Sequence, residues 1–157
     1  MAKNLEFIFF KNEHANIFKA LNLEWLKTFF VVEPYDYLVL NNPSKEIIET
    51  GGEIFMVSIE GNIIGTFAFL KKREKLFEFS KMAVTPSERG KGYGNKMVQF
   101  AIEYSRKKQW NTLILYSSTI LENSIHLYRK YGFVEVPIDP DIKYARGNIK
   151  MSLNLKK

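Results

Sequence analysis

The spacing of apolar and polar positions changes several times along the chain, and each change marks a predicted element. From Asn12 to Phe30 apolar residues recur every three or four positions, as they do on one face of a helix. Two β-rich runs flank Gly61-Asn62, a dipeptide typical of hairpin turns. The same reasoning predicts further strands at 5–10, 76–84, 112–118, 133–137 and 148–155, and further helices at 44–50, 95–108 and 121–131. Prolines at 34 and 43 predict an interruption between the first two helices.

Hairpins and a strand–helix–strand crossover occur together in this pattern, which predicts an α/β fold. We expect a single domain built on a twisted, mixed and mostly antiparallel sheet of about seven strands, flanked by about four helices. No repeat or linker divides the 157 residues. The closing strand, 148–155, is predicted to be an exposed end strand that could pair across a homodimer.

Composition narrows the classes of function. Hydrophobic residues make up 46% of the chain and charged residues 25%, which is typical of a globular protein. The absence of cysteine excludes a disulfide framework, a thiolate zinc site and a cysteine nucleophile. Two separate histidines, His14 and His126, do not make a metal site, so no metal is expected. Neither a signal peptide nor a membrane-spanning run is visible, and we expect a cytoplasmic protein without a membrane partner.

The formal net charge of +6 favours anionic ligands. The basic residues are spread over several short clusters, and no nucleic-acid-binding motif accompanies them. Nucleic acid is therefore not the expected partner. A basic nucleic-acid binder is an alternative that rests on charge alone.

A glycine-rich segment, Arg89–Asn95, lies between a predicted strand and a predicted helix. Glycine lets the backbone approach a ligand closely, and the start of a helix favours anions, so a phosphate is the expected ligand. The P-loop pattern fails because Asn95 and Met97 stand where it needs a glycine and a serine or threonine. The dinucleotide-binding pattern fails at the same two positions.

What remains is the pattern Arg-x-x-Gly-x-Gly, at Arg89, Gly92 and Gly94. Together with the flanking "KMAVTPSERGKG" and a later segment, "NSIHLYRKYGFVEV", it resembles the two motifs of the GCN5-related N-acetyltransferases, the GNAT superfamily. The resemblance covers roughly residues 52–136. It implies a variable acceptor-side region in 1–50, an acetyl-CoA-binding core in 52–136, and a closing loop and strand in 137–157.

The cofactor that the resemblance implies is acetyl-CoA, bound as the donor substrate. The amides of the glycine-rich turn would wrap its diphosphate, with a charge-assisted contact from Arg89 unless that side chain is an exposed loop cation. The backbone of the preceding strand would pair with the pantetheine arm, and an amide there would polarise the thioester carbonyl. The implied cofactor-binding residues are Met82, Ala83, Val84, Arg89, Gly90, Lys91, Gly92, Tyr93, Gly94, Asn95 and Asn123.

Two residues match positions at which the family places catalytic groups. Tyr128 stands at the position of the general acid, and its alternative is a tyrosine packed beneath the sheet. Glu78 resembles the glutamate that serves as base in the histone-acetylating branch, and its alternative is a solvent-facing charge on a strand. Asn123 matches an asparagine that contacts pantetheine in relatives, or belongs to a helix cap. Tyr131 is expected in the core.

The implied reaction moves the acetyl group of acetyl-CoA to a primary amine, of a small molecule or a peptide, by direct attack in a ternary complex. Loops rich in tyrosine and acids are candidates for holding the cationic acceptor, although each residue also has a purely structural interpretation. These candidates are Glu33, Tyr35, Asp36, Tyr37, Tyr144 and Arg146. The alternative function is a non-catalytic CoA-binding regulatory module of the same fold. Similarity of fold does not identify the acceptor.

Overall fold

The computed structural model describes residues 4–141 and 146–156. The helices are α1 (Ala15–Phe29), α2 (Pro34–Asn41), α3 (Tyr93–Lys107) and α4 (Glu122–Lys130), with single 3₁₀ turns at Asn12–His14 and Pro86–Glu88 and a π-helical turn at Ser44–Ile48. The strands are β1 (Glu6–Phe9), β2 (Glu53–Ile59), β3 (Asn62–Arg73), β4 (Leu76–Val84), β5 (Thr112–Ser117), β6 (Val134–Val136) and β7 (Ile149–Asn154). Within the described ranges, no helix has the length and apolar character needed to cross a membrane.

The seven strands form one mixed sheet in the order β1-β2-β3-β4-β5-β7-β6. The pairs β1–β2, β2–β3, β5–β7 and β6–β7 are antiparallel, and β4–β5 is parallel. The predicted α/β class with a mostly antiparallel sheet is therefore confirmed. The prediction that the closing strand lies at the end of the sheet is wrong, because β7 pairs with β5 on one side and with β6 on the other.

The described chain divides into two compact units. The first comprises the residues up to Leu70 together with Ser80–Tyr93, and the second comprises Lys71–Phe79 and the chain from Gly94 onward. In the first unit, one face of α1 and α2 packs on the β2–β3 hairpin, and Phe18, Leu40 and Met56 are fully or almost fully buried there. Burial of each such side chain contributes about 1.5–3 kcal/mol, so this cluster holds the helices against the strands.

The second unit has its own apolar core. Leu113 and Leu115 of β5 lie beside Met151 and Leu153 of β7, and all four are buried. The ring of Phe77 in β4 stacks on that of Trp110 at a centroid distance of 3.7 Å. The buried stripe of α3, predicted from its helical spacing, includes Met97, Val98 and Ala101.

Three boundaries differ from the sequence prediction for local reasons. Pro34 begins α2 instead of only interrupting helical structure, because a helix tolerates proline in its first turn, where its missing N–H has no intrahelical partner. The hairpin turn falls at Glu60-Gly61, both in the left-handed region with φ of 51° and 83°, so Asn62 already belongs to β3. Finally, α3 begins at Tyr93, two positions before the predicted start.

Candidate functional site

The glycine-rich turn connects β4 to α3 through the 3₁₀ turn at Pro86–Glu88. Gly90 and Gly92 have φ values of 76° and 82°, in the left-handed region that residues with a β-carbon rarely adopt. The backbone of the turn therefore requires glycine at these two positions. This conformational requirement is separate from the predicted role of glycine in close approach to a ligand, which stays a prediction.

Gly94 has a different reason to be glycine. It lies in the first turn of α3 and its φ is not positive, so alanine would fit the backbone. Apart from its chain neighbours and the backbone of its own helix, a β-carbon there would meet no atom of the described residues within 4 Å. Glycine in a helix is less favourable than alanine by about 1 kcal/mol, and neither conformation nor packing of the described chain compensates for this cost. The side-chain position of Gly94 therefore faces open space.

A side-chain hydrogen bond joins the first turn of α3 to Tyr131, the residue that follows α4. The hydroxyl of Tyr131 donates a hydrogen bond of 2.7 Å to the side-chain carbonyl of Asn95. Tyr131 is half-buried, so the prediction of a core position is wrong. The predicted ligand contact of Asn95 was its backbone amide, which this side-chain hydrogen bond does not use, and that contact stays a prediction.

Two basic residues of the turn pair with acids of the same unit. The Nζ of Lys91 lies 3.1 Å from a carboxylate oxygen of Glu88 on the protein surface. The guanidinium of Arg89 donates to the Val84 carbonyl and to the Glu24 carboxylate, and its side chain is 26% exposed. Arg89 is thus not the freely exposed cation that the sequence offered as the alternative.

The proposed general acid, Tyr128, is buried in the second unit with 8% of its surface exposed. Its ring packs edge-on against Phe133 at 5.9 Å, and burial raises the pKa of its hydroxyl to about 12. That hydroxyl makes no hydrogen bond to the described residues, among which every fully buried side-chain oxygen has a partner. The Tyr128 oxygen therefore retains a little accessible surface while its ring is enclosed.

Glu78 lies on β4, in the part that pairs with β5 opposite Ile114. Its side chain is 12% exposed and its carboxylate lies 3.5 Å from the Nζ of Lys72. The alternative of a solvent-facing edge charge is therefore wrong. Farther along β4, Lys81 lies in the left-handed region with a φ of 57°, and Phe79 and Ala83 on either side of it are buried.

The remaining predicted site residues have varied surroundings. Asn123 is exposed in the first turn of α4, whose N-cap position is Leu121, so it does not cap the helix. Glu33 and Asp36 form a capping box at the start of α2, in which the Glu33 amide donates to the Asp36 carboxylate at 2.8 Å. Tyr35 packs against the core of the first unit. Arg146 is half-buried, and Tyr144 lies outside the described residues.

One polar cluster in the second unit was not predicted from the sequence. The hydroxyl of Tyr116 on β5 donates to the Asp139 carboxylate, and the Nζ of Lys150 on β7 lies 3.1 Å from the same carboxylate. Burial, followed by the hydrogen bond to Asp139, raises the pKa of Tyr116, whereas the hydrogen bonds from Tyr116 and Lys150 lower the pKa of Asp139. Only the antiparallel register of β5 and β7, which places Tyr116 opposite Lys150, could have revealed this cluster.

Comparison with known proteins gives consistent matches. The model of the acetyltransferase (GNAT) family matches residues 17–133. The chain is 32% identical over 112 residues to "Uncharacterized N-acetyltransferase YvbK" of Bacillus subtilis (strain 168), a match that covers 69% of this chain and 72% of that protein.

Solved structures share the fold. An acetyltransferase of the GNAT family from Staphylococcus aureus Mu50 superimposes with a TM-score of 0.83 at 18% identity, covering 97% of this chain and 99% of that one. A spermidine N-acetyltransferase from Vibrio cholerae, in complex with CoA and spermine, superimposes with a TM-score of 0.76 at 21% identity, covering 98% and 96%.

Proposed function

Because the chain belongs to the acetyltransferase (GNAT) family, we propose that it moves the acetyl group of acetyl-CoA to a primary amine by direct attack in a ternary complex. The observation that carries this proposal is the turn before α3. There Gly90 and Gly92 are left-handed, and the space that a side chain at Gly94 would fill is open. Acetyl-CoA supplies an activated thioester carbonyl together with a diphosphate that suits this turn.

The diphosphate is held by backbone groups. The first N–H groups of α3, from Tyr93 to Asn95, lack intrahelical acceptors and lie at the positive end of the helix dipole. Gly94 leaves room for phosphate oxygens to reach them. The hydrogen bond from Tyr131 keeps the Asn95 side chain from folding back over these amides.

The backbone at the end of β4, Met82 to Val84, is the proposed edge for the pantetheine arm. The Val84 carbonyl accepts a hydrogen bond of 2.9 Å from Arg89. The N–H groups of the segment are the proposed donors to the thioester oxygen. Asn123, exposed on the first turn of α4, is a further candidate for a pantetheine contact.

Tyr128 is the proposed general acid. With a pKa of about 12 it keeps its proton throughout the neutral range, and its accessible hydroxyl can donate to a sulfur that becomes negative as the thioester breaks. Its enclosed ring fixes the direction of that donor, because the aromatic contact with Phe133 restricts rotation.

Glu78 is the proposed base that accepts a proton from the acceptor ammonium, directly or through water. Its carboxylate lies 3.5 Å from the Nζ of Lys72, so the side chain is held in place on β4. The neutral amine then attacks the carbonyl carbon, and the C–S bond breaks as Tyr128 gives its proton to sulfur. The nitrogen of the new amide loses its second proton, which returns to the Tyr128 oxygen directly or through water. The acetylated amine and CoA leave.

The acceptor is proposed to be a primary amine of a small molecule or a peptide. The spermine bound in the Vibrio cholerae spermidine N-acetyltransferase makes polyamines reasonable first acceptors to test. Of the acceptor-side candidates, Glu33 and Tyr35 serve helix capping and core packing, and a role toward the acceptor for them and for Arg146 stays a prediction.

The test is a thiol-release assay with acetyl-CoA against polyamines, amino acids, aminoglycosides and lysine peptides. We expect release of free CoA thiol with at least one class of amine. Tight CoA binding without turnover across the whole panel would favour the non-catalytic module instead. A protein that neither binds CoA nor gains thermal stability from it would overturn the proposal.

A further inference from the structure

The guanidinium of Arg89 contacts two other segments of the first unit, the end of β4 and helix α1. Its Nε donates a hydrogen bond of 2.9 Å to the carbonyl of Val84, the last residue of β4. Its Nη2 donates to the carboxylate of Glu24, a residue of α1 that is 65 positions away in sequence. Its Cζ lies 5.7 Å from the ring centre of Phe29, at the end of α1. Together these contacts use the fork of donors and the flat face of the side chain.

Glu24 is itself oriented for this contact. The Thr28 hydroxyl, one turn later on α1, lies 2.8 Å from the second carboxylate oxygen of Glu24. Burial opposes ionisation, but the hydrogen bonds from Thr28 and Arg89 and the Arg89 charge lower the pKa of Glu24. The carboxylate is therefore charged at neutral pH and fixed toward the turn. The Glu24 side chain is 39% exposed, which places the pair at the rim of the unit and not in its core.

We propose that Glu24 and Arg89 are positioning residues that fix the start of the diphosphate-binding turn, and that the Arg89 side chain is not itself a diphosphate ligand. This inference rests on the proposed function. Arg89 is the first residue of the turn, so its anchoring to α1 and to β4 fixes the point and the direction in which Gly90 and the residues after it begin. Glycines cannot fix that direction themselves, because they are the most conformationally free residues of the chain.

The chemistry of the contact explains why arginine suits this position. A lysine ammonium could reach either the Val84 carbonyl or the Glu24 carboxylate but would lack the planar fork that donates to both at once. The same fork, when it is engaged by a carboxylate, is poorly disposed to bind a second anion. The two roles of Arg89, ligand or anchor, therefore make opposite predictions for the removal of Glu24's charge.

The experiment measures CoA affinity of Glu24→Gln by calorimetry. If Arg89 binds the diphosphate directly, loss of a nearby negative charge frees the guanidinium and tightens binding of an anionic ligand. If the pair anchors the turn, the variant binds CoA more weakly although Glu24 does not touch it. We expect a Kd about five- to tenfold higher, because the glutamine oxygen can still accept from Arg89 but the charge that strengthens the contact is lost.

Glu88→Gln is the matched control. Glu88 lies next to the turn and pairs with Lys91 at 3.1 Å, so the change removes the same charge without touching the Arg89 side chain. We expect unchanged or tighter CoA binding for this control. Thr28→Val provides a second variant, which keeps both charges but removes the hydroxyl that orients Glu24, and we expect a smaller weakening of the same sign.

Kinetics separates anchoring from general destabilisation. We expect Glu24→Gln to raise the KM for acetyl-CoA while kcat at saturating acetyl-CoA stays within about twofold of wild type. The change weakens binding equally in the ground state and the transition state, so the rate of the chemical step is not altered. CoA binding to Glu24→Gln that equals or exceeds wild type would overturn the inference and leave the proposed function intact. Failure of the wild type to bind CoA would overturn both.

Discussion

Gly94→Ala gives the most direct test of whether α3 begins at a diphosphate site. The residue lies in the first turn of α3 with a φ outside the positive region, so alanine fits the backbone. Apart from its chain neighbours and the backbone of its own helix, the added methyl group would touch no atom of the described residues within 4 Å. We therefore expect the free protein to become more stable by about 0.5–1 kcal/mol, through the better helix propensity of alanine. For a chain of this size that corresponds to a rise in Tm of roughly 1–4 °C.

The same methyl group should weaken CoA binding. It would occupy the space through which phosphate oxygens reach the first amides of α3, and loss of one hydrogen bond to a charged group costs about 1.5–3 kcal/mol. The Kd for CoA should rise about ten- to hundredfold. At a CoA concentration a hundred times the wild-type Kd, the ligand stabilises the wild type by about 2.7 kcal/mol, whereas a hundredfold weaker variant gains only about 0.4 kcal/mol.

Thermal unfolding with and without CoA measures both effects in one experiment, and calorimetry gives the Kd directly. Gln99→Ala, an exposed change on the same helix, is the matched control and should leave the CoA-dependent shift unchanged. The reasoning fails if Gly94→Ala binds CoA as tightly as the wild type, because the open space would then serve no ligand. A destabilised free variant would show that the space is not open in solution.

Three further predictions use other contacts. Tyr128→Phe should lower kcat by about a hundredfold or more and leave the Kd for CoA within about twofold, and equal activity would remove the acid role. Gly52→Ala should lower the free energy of unfolding by roughly 2–3 kcal/mol in urea titrations, because its β-carbon would clash with the Phe69 carbonyl oxygen and would lie 2.8 Å from that of Ile47. Wild-type stability would contradict this packing. The pKa of Asp139 is lower in the folded protein than the ordinary 3.8, so its contribution to stability is present above that pH and is lost as the pH falls. Asp139→Asn should therefore melt below the wild type at pH 6, with a gap that narrows toward pH 3, and a gap independent of pH would contradict the contact with Tyr116 and Lys150.

The identification of the family depended on short segments whose meaning is local. The turn at Arg89–Gly94 and the segment around Tyr128 resembled two GNAT motifs, and the family match confirms the prediction of an acetyl-CoA-dependent acetyltransferase. The left-handed conformation of a glycine and the start of a helix each depend on a few adjacent residues. The motif of the glycine-rich turn can therefore be recognised from the sequence alone.

Other local signals were ambiguous. Pro34 predicted a break, and the structure shows a helix that starts there, because proline disfavours helical structure before itself and tolerates it after. Glu33 and Asp36 were read as candidates for holding a cation, but their side chains cap that helix. Acidic residues serve capping and binding equally well, and the sequence offers no way to separate the two.

The sequence by itself determined the kinds of element, the class of fold and the place of the glycine-rich turn, since each depends on spacing and backbone preference within a few residues. Only the tertiary structure decided which side chains meet around that turn and beyond it. Arg89 contacts Glu24 across 65 positions, Tyr131 contacts Asn95 across 36, and Tyr116 contacts Asp139 across 23. Such pairs arise from strand register and helix packing, which bring together residues that have no common pattern along the chain.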